Sequence, residues 1–512
     1  MGCERGLGVS RLLGVAGALT FVATGCYIPS TPSDTGVFDS ATEEPVDSPY
    51  GGDGGGNGGD VGTAGTDTDT DSGVPVVEVA PTIIDATCNV QDDNLLRYDC
   101  TVTTDVDATV WVEFEGKPGV RSSSVSEGTT HAVTIWGLHS DTSYTWSVSA
   151  ENDHGADAFV GTSVTTGIPD VVIDLFASAL EVSAPQTEYI LVNAPCATGH
   201  YTTILDTDGN VVWYDDAAAD SRIVTGLQFT QDGTVFTVYD DERFIERALD
   251  GRVIRDWTEK DIGAFLHHDV HIRDGILWGL SITPMTLGGQ PYIIDSVHGY
   301  DADGNRVHEW SMDEVLDPRG YDWHGDSAYW GDNYPGHCDP FHVNSFDIDD
   351  NGDWILSMKD LDEVLKVYGP DSPAAGQLAW NFRADGTGSL KYAAGDGVVP
   401  FFAGQHHVTQ TDETTLLMFD NLGILGSSRA LVFELDEDAL TAAPIQQFSM
   451  EDTCELQGSA YWVGDHMLAT CGPDHWMREF DASGNTVWGL ALSCGQQSKI
   501  PTYRGIPVTL DP

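Results

Sequence analysis

A chain of 512 residues carries 22 Lys+Arg against 81 Asp+Glu, a formal charge of −59. That length exceeds one ordinary hydrophobic core and implies two or three domains. So strong a polyanion repels nucleic acid and anionic lipid surfaces, which excludes both as partners; any site for an anionic substrate must supply local positive charge or dense N–H donors.

Arg5 and Arg11 flank the start of a short apolar run, LLGVAGALTFVATG at 12–25. It is short for a bilayer span and fits a signal-peptide core. The run ends in ATGC, which resembles a bacterial lipobox and implies lipidation of Cys26, although most such motifs carry Leu where Ala23 sits. The alternative is an ordinary secretory signal cut nearby. Either way residues 1–26 are an export address. The expected location is the outer membrane or cell surface, held only by an N-terminal lipid anchor, and otherwise the periplasm. Export permits disulfides. Seven cysteines lie beyond Cys26. Cys88 with Cys100 and Cys454 with Cys471 are the expected pairs, an odd number leaves a thiol over, and none forms a CxxC zinc pattern.

Residues 27–76, with GGDGGGNGGD and TDTDTDSG, have almost no aromatic content and read as a flexible Gly/Asp/Thr-rich linker. Residues 78–167 alternate with period two, placing Tyr144, Trp146, Val148 and Ala150 on one face. Leu138 followed by Tyr144 opening a strand resembles a fibronectin type III β-sandwich with its tyrosine corner.

From 170 to 512 a repeat emerges. TTILDTDGNVVW ends at Trp213, ERALDGRVIRDW at Trp257, VHGYDADGNRVHEW at Trp310, VYGPDSPAAGQLAW at Trp380, VFELDEDALTAAPIQQF at Phe448 and REFDASGNTVW at Trp488. Each is a strand, an Asp/Gly turn and a strand closing on a large aromatic, at intervals near or above the ~40–50 residues of a propeller blade. With helical periodicity nearly absent, the expected fold is all-β: a six-bladed β-propeller behind the small sandwich. The aromatics are expected to pack blades together.

A second repeat aligns HHDVHIRDGILWGL (267–280), VNSFDIDDNGDWILSMK (343–359) and QHHVTQTDETTLLMFDN (405–421). His268, Asn344 and His406 each stand two residues before an apolar strand residue, so blade symmetry would aim them at one central cavity. An antiparallel return brings Lys359 back beside His342 and Asn344. Imidazoles, an amide and an ammonium without a close carboxylate pair argue against glycoside hydrolysis. Three histidines could bind zinc, but none forms an HxxxH pair, and Asn344 and Lys359 would be wasted around a metal, so no metal is expected. The absence of a GxSxG elbow disfavours serine chemistry. Transfer of an anionic group through a histidine nucleophile fits. His407 is expected to face away from the site.

DPFHVNSFDIDDNGDWILSMKDLDEVLKV (339–367), FAGQHHV (402–408), LLMFDN (416–421) and HHDVH (267–271) resemble the ordered motifs of bacterial arylsulfate sulfotransferases. The resemblance covers about 170–512 and implies a six-bladed propeller after a small β-domain. It implies His406 as the nucleophile that forms a sulfohistidine, with His268, His342, Asn344 and Lys359 binding the sulfuryl group. It also implies aryl sulfate and phenol substrates and no nucleotide cofactor. Lys359 stands where the family usually has Arg, which replaces a planar fork of donors by a point charge. Two other readings are a non-catalytic propeller that binds a sulfated or phenolic ligand at the cell surface, and a hydrolase that passes the group to water.

Overall fold

The computed structural model describes residues 79–512 except 118–121, 125–127, 195, 197–200, 216–222, 322–329, 331–332, 396, 423–425, 496–501 and 511–512. The expected signal peptide, Cys26 and the linker lie outside the described residues. The protein is all-β; α-helix among the described residues is confined to Asp170–Asp174 and Glu259–Ile262.

Near the N-terminal end, Ile83–Val90, Tyr98–Thr104 and Thr130–Ile135 form one antiparallel sheet. Ser122–Ser124, Thr109–Phe114, Trp146–Asn152 and Gly155–Val160 form another, and the two share a core. Tyr144, Trp146, Val148 and Ala150 are all buried in that core, as the alternation requires. The Tyr144 hydroxyl accepts the His139 N–H at 2.9 Å, the backbone tie of a tyrosine corner. Cys88 and Cys100 sit opposite one another on neighbouring strands and form a disulfide.

From Tyr189 onward the strands form antiparallel sets of four, two of which join through a parallel contact into one eight-stranded sheet, while Lys391–Tyr392 adds a short parallel edge to another. One strand of each set lies beside its counterparts in the neighbouring sets. These are β1 (Val224–Phe229), β2 (Leu266–Arg273), β3 (Val343–Ile348), β4 (His406–Asp412), β5 (Ser459–Val463) and β6 (Gly505–Val508). The last strand, β6, completes the first set by pairing with Tyr189–Asn193, and it packs against both β5 and β1. Leu175–Glu181 in turn adds a strand to the last set by pairing with Thr486–Cys494. A Cys196–Cys494 disulfide ties the same two chain regions across 298 residues, a pairing that spacing could not suggest.

In every set the outer hairpin is the aromatic-closing repeat seen in the sequence. Trp213, Trp310, Trp380, Phe448 and Trp488 are buried. Three indoles also reach the next set: Trp213 Nε1 donates to Leu249 O, Trp310 Nε1 to Gly376 O and Trp488 Nε1 to Thr207 O, each at 3.0–3.1 Å. The aromatics therefore join sheets, as expected. Truncating one to Ala would cost about 3–5 kcal/mol.

The strands β1 to β5 are stitched edge to edge. β1 and β2 meet in parallel at Gly226 and His268. A Cβ on Gly226 would lie 2.8 Å from His268 O, so only glycine permits that approach. Asp269 accepts the Phe346 N–H at 2.9 Å, Ser345 the Val408 N–H at 3.0 Å, and His407 Nδ1 the Ala460 N–H at 3.3 Å. These bonds satisfy backbone groups that a sheet edge would leave bare.

Candidate active site

The motif residues lie where β2, β3 and β4 begin, and each of those starts is irregular. Register slips between His267 and Val270, between Val343 and Ser345, and between His406 and Thr409. His268, His342, His407 and Gln457 adopt left-handed φ of 56°, 48°, 47° and 53°. Such a conformation costs roughly 1–2 kcal/mol per non-glycine residue, and bulges of this kind re-aim side chains. They also correct the repeat alignment. His406 pairs with Phe419 as His267 pairs with Leu280, so His267, not His268, shares the register of His406. The one-residue offset arises because bulged residues do not keep the period-two count.

His406 is buried at 6% exposure. Its Nδ1 lies 2.8 Å from Asn421 Oδ1 and 3.0 Å from Gly404 O, and its Nε2 accepts the Gln457 N–H at 3.2 Å. Asn421 Nδ2 donates to Cys454 O and Gln457 O at 2.9 and 2.6 Å, so the amide nitrogen must face those carbonyls and the amide oxygen must face the ring. The proton of His406 is thus on Nδ1 and the lone pair on Nε2. Burial pushes the His406 pKa down to about 3, against the Asn421 bond and with the help of Lys359 and Arg504, so the ring is neutral across ordinary pH.

His268 and His342 face each other with ring centroids 6.0 Å apart. His268 Nδ1 lies 2.8 Å from His267 Nδ1, while His267 Nε2 faces Ser281 O at 3.4 Å. A carbonyl only accepts, so His267 donates from Nε2 and accepts at Nδ1, and His268 donates from Nδ1. Burial first, then the fields of His267, His342, His406 and Arg504, hold His268 well below the ordinary histidine pKa. His342 differs. Its Nδ1 lies 2.9 Å from Asp339 Oδ2, and its own N–H donates to Asp339 Oδ1 at 3.2 Å. Burial opposes the charged ring, but the Asp339 bond and the charges of Asp339, Asp360 and Asp295 outweigh it and raise the pKa.

Lys359 follows the strand whose last residue, Met358, pairs with Val343, so it returns beside His342 as expected. Its Nζ is 3.3 Å from Asp360 Oδ1, yet its charge still reaches His406. Asn344 is buried and its Nδ2 donates to Gln405 O at 2.8 Å, committing an amide proton to the backbone just ahead of His406. Its Oδ1 has no hydrogen-bond partner among the described residues. His407 turns toward β5 with its ring 4.2 Å from that of Tyr461.

Several contributors escaped the motif reading. Gln405 is fully buried and donates to Ser357 Oγ, Met358 O and Glu363 O, anchoring the residue before His406. Asn421 and Asp339 lay inside quoted motifs, where no spacing rule singles them out. Arg504 is buried against Asp269, 235 residues away, and Tyr503 donates its hydroxyl to His268 O at 2.7 Å. Arg504 and Lys359 bring positive charge to bear on His406 inside a chain of net −59, with Asp269 and Asp360 as their respective partners.

Among solved structures, a periplasmic gluconolactonase, PpgL, from Pseudomonas aeruginosa shares 14% identity at a TM-score of 0.35, covering 63% of this chain and 99% of its own. A catalytically inactive virginiamycin B lyase from Staphylococcus aureus with quinupristin shares 9% at 0.33, covering 61% and 87%. An auxiliary nutrient binding protein from Bacteroides ovatus shares 10% at 0.33, covering 82% and 91%. No curated protein matches the chain. The model of the arylsulfotransferase (ASST) family matches residues 181–470, a span that holds His268, His342, Lys359, His406 and Asn421 together, and the chain belongs to that family.

Proposed function

We propose that the protein transfers a sulfuryl group from an aryl sulfate to a phenolic acceptor through a sulfohistidine on His406. The observation that carries this reading is the fixed tautomer of His406, whose neutral ring keeps its lone pair on Nε2 beside two cations. In the first half-reaction Nε2 gives up the Gln457 N–H and attacks sulfur, the S–N bond forms, and the S–O bond breaks with its electron pair on the aryl oxygen, which takes a proton from a neighbouring histidine. Asn421 Oδ1 then steadies the Nδ1–H of the sulfurylated, imidazolium-like ring. Lys359, His342, His268 and Asn344 bind the sulfonate oxygens. In the second half-reaction a phenol passes its proton to that same neighbouring histidine as its oxygen attacks the sulfur, and the S–N electron pair returns to Nε2. No nucleotide cofactor takes part.

The six four-stranded sets form the blades of a propeller in this reading, with β1 to β6 innermost and a fibronectin type III-like sandwich in front. Cys26 carries the lipid that holds the exported protein at the outer membrane or cell surface, and residues 27–76 are the tether.

Incubation with p-nitrophenyl sulfate and a phenol tests the reaction. The expected outcome is nitrophenol release that depends on the acceptor, a sulfuryl-sized mass gain on the His406 peptide when the acceptor is withheld, and loss of both in His406→Ala. Release of free sulfate at the same rate with and without acceptor would instead mark a hydrolase. Silence across donors, with no adduct, would mark a binding protein.

A further inference from the structure

The N-terminal β-sandwich meets the first strand set along a fixed seam. Asn94 Nδ2 and Arg97 donate to Tyr214 O at 3.2 and 3.0 Å, the Tyr214 hydroxyl accepts the Leu95 N–H at 3.0 Å, and the Arg97 guanidinium lies 5.4 Å from the centre of the Trp213 ring. Between the sandwich and the sheets lies a cleft of about 560 Å³. Its apolar lining is Trp136 from the sandwich, Phe229 at the end of β1 and Leu249, and the Trp136 ring also packs on the core of the first sets. Gln231, Asp232, Asp250 and Thr509 supply polar groups. Gln231 and Asp232 are exposed on a turn. Among the described residues, no hydrogen bond or ion pair engages their side chains, the Thr509 hydroxyl or the Trp136 N–H. Clefts of a few hundred Å³ between domains, with apolar walls and a few convergent polar groups, are the usual places for small ligands.

We propose that this cleft binds a neutral saccharide, with the C–H face of a sugar ring on Trp136 and its hydroxyls on Gln231, Asp232 and Thr509. The lining residues exclude the other ligand classes. No Lys, Arg or His lines the cleft while Asp232 and Asp250 do, so anions are repelled in a chain of net −59. A hydrocarbon would desolvate two carboxylates and an amide without bonding them. An organic cation would satisfy the carboxylates and the indole face, but it brings no acceptor for the Gln231 amide protons or the Trp136 N–H. Neighbouring hydroxyls both donate and accept. They therefore answer the carboxylate, both ends of the amide, the Thr509 hydroxyl and the indole N–H together. The C–H groups of a pyranose face suit the electron-rich face of the indole. The seam at Tyr214 holds the walls in place beforehand, which lowers the ordering cost of binding. His268, His342, Lys359 and His406 are absent from the lining, so this binding is independent of sulfuryl transfer. It gives the protein a hold on carbohydrate.

Saturation-transfer NMR on the intact protein with maltose, cellobiose, lactose and N,N′-diacetylchitobiose tests the site, with choline as the organic-cation control. At least one disaccharide should receive saturation, most strongly on the C–H protons of one ring face. Asp232→Ala, on an exposed turn, should weaken that binding by about 10-fold or more, the worth of a hydrogen bond to a charged group. It should leave the melting temperature and the turnover of p-nitrophenyl sulfate at their native values. Trp136→Ala should abolish binding. Because that ring also packs on the core, Gln231→Ala serves as a second exposed variant and should weaken binding in the same direction as Asp232→Ala. Silence with all four sugars, a sugar bound equally by the native protein and both turn variants, or choline bound where no sugar is, overturns the proposal.

Discussion

Asn421 presents its amide oxygen to His406 Nδ1 at 2.8 Å, because its nitrogen is already engaged with Cys454 O and Gln457 O. That single orientation settles which ring nitrogen is free of a proton. Asn421→Ala should release the ring and lower kcat by about 10- to 100-fold, in line with the loss of a positioned hydrogen bond in a buried site. Asn421→Asp is more diagnostic. A carboxylate at Nδ1 favours the imidazolium, so a new acid limb should appear in the pH–rate profile where the native protein, with its ring pKa near 3, shows none from this group.

Lys359 presents a point charge, and its Nζ lies 3.3 Å from Asp360 Oδ1. Lys359→Arg should keep or raise activity, since a guanidinium can bond Asp360 and a sulfonate oxygen together. Lys359→Ala should raise KM for the aryl sulfate and cut kcat/KM by about 10- to 100-fold, the worth of one charged hydrogen bond. Steady-state kinetics on the two variants separate geometry from charge.

Asp269→Ala would strand the buried Arg504, whose guanidinium Asp269 holds with both oxygens, and would also free the Phe346 N–H. Removing one partner of such a pair costs about 3–5 kcal/mol, and chemical denaturation should show a loss of that size. A loss below about 1 kcal/mol would mean that Arg504 finds water or another anion.

Acid should unfold the protein earlier than its carboxylates alone would dictate. His267 and His298 are pushed to about 4 and His406 to about 3, mainly by burial, and His268 and His407 lie well below the ordinary 6.5. The unfolded chain therefore takes up protons first. The stability these rings contribute is complete above about pH 6.5 and is lost as pH falls through their folded values, at up to ~1.4 kcal/mol per pH unit per ring. His342 runs the other way: its raised pKa contributes below about 6.5 and is lost as pH rises. Melting temperature should drop steeply between about pH 6 and pH 4. A flat profile there would contradict neutral burial of the histidines.

Much of the architecture is legible in the amino-acid sequence. Tyr144, Trp146, Val148 and Ala150 share a buried face, and every aromatic-closing repeat is an outer hairpin. These patterns are local, so adjacent residues carry them. The motif spacing groups His268, His342 and His406, and Lys359 returns beside His342 because antiparallel pairing of a short hairpin leaves little choice. The repeat alignment failed by one residue at β2 against β4, since a bulge breaks the count on which alternation depends. Asn344 commits one amide proton to Gln405 O, a partner 61 residues away that no local spacing indicates.

Alternation, turn chemistry and the repeated hairpins decide that this chain makes antiparallel sheets with aromatic seams, because each is written within a dozen neighbouring residues. Which atoms meet at the centre is another matter. The left-handed turns at His268, His342 and His407 aim the rings, Asn421 selects the tautomer of His406, and the closure of the first set by the chain's last strand brings Arg504 to Asp269. Those contacts join residues far apart in the chain, and their charge and proton positions exist only once burial has removed water from around them.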